Sequence, residues 1–209
     1  MRKILCLFAF LVIATSVSAK SVITLKTGDL SVFGKPASAV VSFDYSKAEI
    51  EDKDISLDDF VEQKGVKYES KWERAQKMAH KDFVKKFNKK SEGLKLTAEP
   101  TEEAEYKMTI SVRTINMGNT LKSFLPFGSH KDGGITMFGR IYIYDKTGKE
   151  ICQLRFAGVQ GLGSSGVEAR LVFAYQELHS ALRRYLNKSK ESSTIDEEDD
   201  EEEQERNDD

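Results

Sequence analysis

Cysteine is nearly missing from this chain of 209 residues, occurring only as Cys6 and Cys152. Cys6 falls in a segment laid out like a secretory signal peptide. Arg2 and Lys3 are followed by the apolar run Ile4 to Ile13, then by small residues ending Val17-Ser18-Ala19. Cleavage after Ala19 leaves Cys152 alone, which excludes an internal disulfide even on an export route that permits one. A lipid anchor needs a cysteine at the cleavage point, and Cys6 comes too early. Also lacking is an apolar run of spanning length: Ile4 to Ile13 has 10 residues, against the roughly 20 that a membrane helix takes. The expectation is an exported domain, periplasmic or extracellular, with no transmembrane segment and with peripheral membrane contact left open.

The familiar chemical patterns are missing too. His80, His130 and His179 are the three histidines, and none has a second histidine or cysteine at zinc spacing. Each is expected on the surface or in packing. Ser164 and Ser165 do not complete G-x-S-x-G, so no hydrolase elbow is present. No nucleophile, base and orienting group can be named together. No catalytic residue, metal or cofactor is therefore expected.

Charge, by contrast, is abundant and uneven. Residues 196–209 hold 11 acidic side chains and one basic, a net of −10, while residues 20–195 carry +6. An acidic block repels itself and has nothing apolar to bury, so residues 190–209 are expected to be a disordered acidic tail. That run, "DEEDDEEEQE", either solubilises the protein or folds back on the basic body in competition with an acidic ligand. It contains no calcium-loop pattern. The remainder, residues 20–189, suits a single domain.

Periodicity supplies the elements. Residues 21–26 resemble a short strand, and "TGDLSVFGKPAS" reads as strand and turn. Ala39, Val41, Phe43 and Tyr45 alternate with polar or smaller neighbours over residues 38–45. After a charged loop, Ser56 with Asp59 three positions on forms a capping-box-like start for a short helix ending at Gly65. From about Tyr68 to Asn88 the stripe Tyr68, Trp72, Ala75, Ala79, Phe83 and Phe87 repeats at helical spacing, with Arg74, Lys77, Lys81 and Lys85 opposite. Three strands follow. Tyr106, Met108, Ile110 and Val112 face inward in the first, and Ile135, Met137, Ile141 and Ile143 in the second. Cys152, Leu154 and Phe156 do so in the third, with Cys152 as a small buried apolar residue. "DKTGKE" turns the chain between the last two, using a positive φ at Gly148. A final helix from Val167 to about Asn187 carries Leu171, Ala174, Leu178, Leu182 and Tyr185 on one side, with Phe173 opposite. The fold class expected is α+β: a mainly antiparallel sheet with two long amphipathic helices packed on one face.

Before that helix stands "GLGSSG", residues 161–166, the spacing of a dinucleotide-binding turn. Its context is wrong, because such a turn belongs in a parallel strand–helix–strand unit with an acidic residue about 20 positions on. Ser165 and Glu168 instead form a capping box. Gly161 and Gly163 then serve as a joint between sheet and helix.

The phrases "YKMTISV", "GRIYIYDKTGKEI", "FAGVQGLGSSG" and "ARLVFAYQELHSALRRYL" together resemble uncharacterised bacterial envelope domains, often lipoproteins. These are distantly similar to the curli-secretion lipoprotein and to the amino-terminal domain of TolB. The resemblance covers roughly residues 38–187 and implies an envelope location, an α+β fold and no catalytic residue. The chain departs from it in lacking an anchor cysteine and in its acidic tail.

Two function classes remain. The first is a non-enzymatic exported domain that binds another protein of the envelope. Its candidate residues are Phe138, Arg140, Tyr142, Tyr144 and Arg155 on the outward sheet face, with Lys107 and Arg113. To these it adds Leu121, Phe124, Leu125 and Phe127 in the long 116–134 loop. The alternative is a hydrolase-type enzyme on an envelope substrate, using that loop as a lid and Ser129, His130 or Asp132 as chemistry. Nucleic acid is not an expected partner, and the oligomeric state is open.

Overall fold

The computed structural model describes residues 21–207 apart from 52, 100, 102, 119–132 and 165, and side chains as far as Glu191. The expected signal segment 1–19 lies outside the described residues. In chain order the elements are β1 (Val22–Gly28), a 3-10 turn (Leu30–Phe33), β2 (Ser38–Asp44), β3 (Glu49–Ile50) and β4 (Ile55–Ser56). Helices α1 (Leu57–Gln63) and α2 (Val66–Lys90) come next. Strands β5 (Lys95–Thr97), β6 (Tyr106–Asn116), β7 (Thr136–Asp145) and β8 (Glu150–Gln160) then precede helix α3 (Val167–Asn207).

The strongest alternation in the sequence makes the centre of the sheet. Strands β6, β7 and β8 pair antiparallel in succession, and β1 closes one edge against β8. The expected inward residues Met108, Ile110, Val112, Ile135, Met137, Ile141, Ile143, Cys152, Leu154 and Phe156 are all buried. The β7–β8 hairpin turns where expected. The Asp145 carboxylate accepts from the Thr147 amide at 2.8 Å and the Lys149 amide at 3.1 Å, and Gly148 takes φ +82°. Gly139 lies opposite Phe156 in the register. A Cβ there would stand 2.5 Å from the Phe156 ring, so the missing side chain is what lets that ring cross the strand.

The sheet is mixed, which corrects the expectation of a mainly antiparallel one. The order is β1-β8-β7-β6-β2-β5, with β3 on β6 and β4 on β3. β2 runs parallel to both β5 and β6, and β3 runs parallel to β6. The cause is the connection: parallel neighbours need a crossover of a dozen or more residues, and α1 with α2 supplies one between β2 and β5. The alternation within β2 signals a strand without stating its direction. Two details concern the turns. "TGDLSVFGKPAS" takes its strand part from the end of β1, Thr27–Gly28, and its turn from the 3-10 turn, begun by the Asp29 carboxylate accepting from the Ser31 amide at 2.8 Å. The charged loop before Ser56 contains the short pair β3–β4.

Both long helices cover the same face of the sheet. Trp72, Ala75, Ala79, Phe83 and Phe87 of α2 are buried, and Tyr68 packs against them. Arg74, Lys77, Lys81 and Lys85 lie on the opposite side. From α3, Leu171, Ala174, Tyr175, Leu178, Ala181 and Leu182 are buried, and the Tyr185 hydroxyl accepts from the Leu25 amide of β1 at 3.1 Å. Helix α1 starts at its expected cap, where Ser56 accepts from the Asp59 amide at 3.0 Å. Gly65, at φ +84°, turns the chain straight into α2. Helix α3 runs on to Asn207 rather than stopping near Asn187. Residues 188–207 contain neither Gly nor Pro, and the sequence therefore carries no local stop signal there.

The glycines of "GLGSSG" serve packing. A Cβ on Gly161 would lie 2.4 Å from the Ala174 amide of α3, and one on Gly134 would lie 2.0 Å from the Gly161 carbonyl. One on Gly118 would lie 2.3 Å from the Gly134 carbonyl. Three glycines distant in sequence thus stack backbone on backbone against the helix. Gly161 keeps its place by donating to the Ile135 carbonyl at 3.0 Å. The requirement at Gly161 is close approach, which corrects the reading of conformational freedom. Ser165, the expected cap, lies outside the described residues. A Gly161→Ala protein should lose about 1–3 kcal/mol of stability, because the obstacle is backbone that cannot swing away. Gly34→Ala, with φ −88° and its nearest atom 3.5 Å away, should change little. Urea unfolding of both variants checks this.

Candidate functional site

With α2 and α3 on one side, the reverse of the sheet presents alternate residues of β6, β7 and β8 to water, apart from Ser111, which is buried and bonded to Asp44. Arg140, Arg155 and Lys107 are exposed, and Phe138, Tyr142, Tyr144 and Arg113 are half-buried. Strand register brings them together: Arg140 stands opposite Arg155, Tyr142 opposite Gln153 and Thr109, and Tyr144 opposite Lys107. The rings of Tyr142 and Tyr144 stack with centroids 6.1 Å apart. Partial burial raises the Tyr144 phenol above its ordinary range, helped by Glu150 and Tyr142.

A register shift in β6 between Val112 and Thr114 leaves Arg113 as the extra residue of a bulge, and a bulge re-aims its side chain. The result is a groove of about 340 Å³ lined by Glu51, Arg113, Thr114, Phe138, Arg140 and Arg155. Sequence reasoning misses Glu51 and Thr114. Glu51 reaches the groove through the parallel β3–β6 pairing, and a two-residue strand leaves no periodic trace. Leu121, Phe124, Leu125 and Phe127, together with Ser129, His130 and Asp132, lie outside the described residues.

The loop that holds those residues is anchored at its base. One terminal nitrogen of Arg170 on α3 donates to the Met117 carbonyl at 2.7 Å and more weakly to that of Gly133 at 3.4 Å. Burial lowers the Arg170 pKa, with Tyr68 opposing the effect.

The other polar cluster lies at the margin of the core, where Tyr175 is fully buried and Tyr45 and His80 are half-buried. The Tyr45 hydroxyl is 2.6 Å from that of Tyr175 and 3.0 Å from His80 Nε2. The His80 ring stacks on Phe43 at 3.7 Å between centroids and 3° between planes. With Nε2 unprotonated, Tyr175 donates to Tyr45 and Tyr45 to His80; the other tautomer reverses the chain. Burial holds both phenols above their ordinary range and pulls His80 down to about 4. Aromatic rings surround the cluster, so its donors and acceptors satisfy one another, as buried polar groups must. His80 is thus a packing histidine, as expected, and half-buried His179 sits edge-on to Phe83. Among the described residues no group of three or more His, Cys, Asp or Glu side chains is arranged to hold a metal ion. No helix there is long and apolar enough to cross a membrane.

These features define an α+β domain with one sealed and one open sheet face. No family model matches the chain, and no curated protein does. Two solved structures show a weak likeness. The PelC dodecamer from Paraburkholderia phytofirmans has 13% identity and a TM-score of 0.37, over 76% of this chain and 96% of that one. A single-substitution variant of the same dodecamer has 13% identity and a TM-score of 0.31, over 77% and 95%. Likeness at this level carries no functional argument.

Half-buried His80 and buried Cys152 give direct tests. His80 is neutral in both folded and unfolded chains above pH 6.5, so it leaves stability unchanged there. Between pH 6.5 and 4 the unfolded chain takes up a proton that the folded one refuses. Folding should therefore weaken by about 3 kcal/mol from this group as pH falls through that window. His80→Gln should remove that part of the acid slope, read from urea midpoints at pH 7 and 4. Cys152 is buried, and its surroundings push the thiol up to about 11. In the native protein it should resist iodoacetamide at pH 8 and react only at the rate of unfolding.

Proposed function

We propose that this domain is exported and acts without chemistry of its own, binding another protein through the open face of its sheet. One observation carries the reading: two helices seal one face, while the reverse displays Phe138, Tyr142 and Tyr144 among Arg113, Arg140 and Arg155. Aromatic and arginine side chains are the types that supply most binding energy at protein interfaces. Tyr142 and Tyr144 form a stacked platform that is already ordered, so little side-chain freedom is lost on docking. The layout of residues 1–19 supports export, to the periplasm or beyond the cell.

Replacing both Tyr142 and Tyr144 by Ala should cost no more than about 1 kcal/mol of stability, since neither side chain belongs to the core. The same protein should lose crosslinks formed by a photoreactive residue at position 138 in envelope preparations. Undiminished crosslinking by a folded double variant would sink the proposal.

A further inference from the structure

We propose that the groove between β6, β7 and β8 binds an acidic peptide segment, with Arg113, Arg140 and Arg155 gripping its carboxylates. The inference rests on the open face being the binding face, and it names the chemistry of what docks there.

Three observations converge. Arg140 and Arg155 are direct cross-strand neighbours, an arrangement in which like charges repel. The repulsion is tolerated at the cost of some stability, and an anion placed between the two guanidinium groups removes it. Next, the carboxylates nearby are already engaged. Asp44 accepts from the Ser46 amide at 3.0 Å and the Ser111 hydroxyl at 2.8 Å. Glu51 accepts from the Asn116 side-chain amide at 3.0 Å. Hydrogen bonds from the Ser46 hydroxyl and amide, then from Ser111, with Arg113 nearby, hold Asp44 below the usual carboxylate range. Among the described residues no carboxylate comes within salt-bridge distance of Arg113, Arg140 or Arg155. Guanidinium groups match carboxylates through paired, parallel hydrogen bonds, and three such forks stand here without that match.

Size selects the ligand. The groove holds about 340 Å³, whereas a single water's share of liquid volume is about 30 Å³. A lone phosphate or carboxylate leaves most of it empty, while a few residues of extended chain fill it. Phe138 lines the groove and Tyr142 continues the same face, giving the peptide's backbone and methylene groups an apolar bed. The chain itself carries an acidic run of the matching charge, residues 196–209 at net −10, so binding is to be read with and without those carboxylates.

The test is calorimetric titration of the full chain with a deca-glutamate peptide, at low and at physiological salt. A second full-length protein, with the 11 tail carboxylates changed to amides, removes that charge. Saturable binding to at least the second protein is expected, weakening as salt rises. Arg140→Gln with Arg155→Gln should weaken it by about tenfold or more, while Lys77→Gln with Lys81→Gln on α2 leaves it unchanged. No saturable binding to either protein, or equal loss in both double variants, overturns the proposal. So does inorganic phosphate binding as tightly as the peptide at matched ionic strength, which marks a small-anion site. A fall in melting temperature in the Arg140/Arg155 variant that accounts for the lost binding assigns those arginines a structural role instead. The two readings fail separately: loss of the peptide site leaves Tyr142 and Tyr144 as a platform, and an inert platform leaves the arginine groove.

Discussion

Strands β6, β7 and β8 alternate so strictly that every second side chain must leave water on the same side, and the remaining elements meet that demand. Met108, Ile110, Met137, Ile141, Ile143, Leu154 and Phe156 form one apolar layer, worth roughly 1.5–3 kcal/mol for each large side chain fully removed from water. No single amphipathic helix spans it. Helix α3 lies against β1 and β8, while α2 packs beside α3 and reaches β5. The seam between the helices is filled by Phe83, Tyr175 and the Phe43–His80 stack.

That seam explains why a polar chain sits at the margin of the core. Tyr175 on α3, Tyr45 after β2 and His80 on α2 come from three separate elements, and their hydrogen bonds are satisfied only when all three are seated. A partly satisfied network is costly in a low-dielectric interior, so the cluster ties the two helices to one position on the sheet. The glycine stack acts similarly at the other end of α3. Gly161 brings the end of β8 against the backbone of the helix, and Gly134 and Gly118 stack the flanks of β7 and β6 behind it. One-sided coverage held in this way leaves the reverse face uncovered, and the arginine groove follows from that arrangement.

Much of this was legible in local pattern. A period of two identified the hairpin strands and assigned Arg140, Tyr142, Tyr144 and Arg155 to one side, because cross-strand neighbours share a face. A period of 3.6 identified the buried stripe of α2 residue by residue. The groove itself was only half legible. Arg113 stood in the outward set, but its place beside Arg140 depends on a β6 bulge that alternation hides. Glu51 arrives through a two-residue strand too short to leave a signal.

The amino-acid order by itself determined which side chains leave water, where helices α1 and α2 begin, and which face of the hairpin carries aromatic and arginine residues. These depend on neighbours within a few positions, through dihedral preference, capping and side-chain periodicity. The tertiary structure alone decided that β2 runs parallel beside β6, that the glycines of "GLGSSG" are there to let backbone approach α3, and that Tyr45, His80 and Tyr175 meet. Each of those outcomes joins residues dozens of positions apart, and packing between elements selects them where local propensity is indifferent.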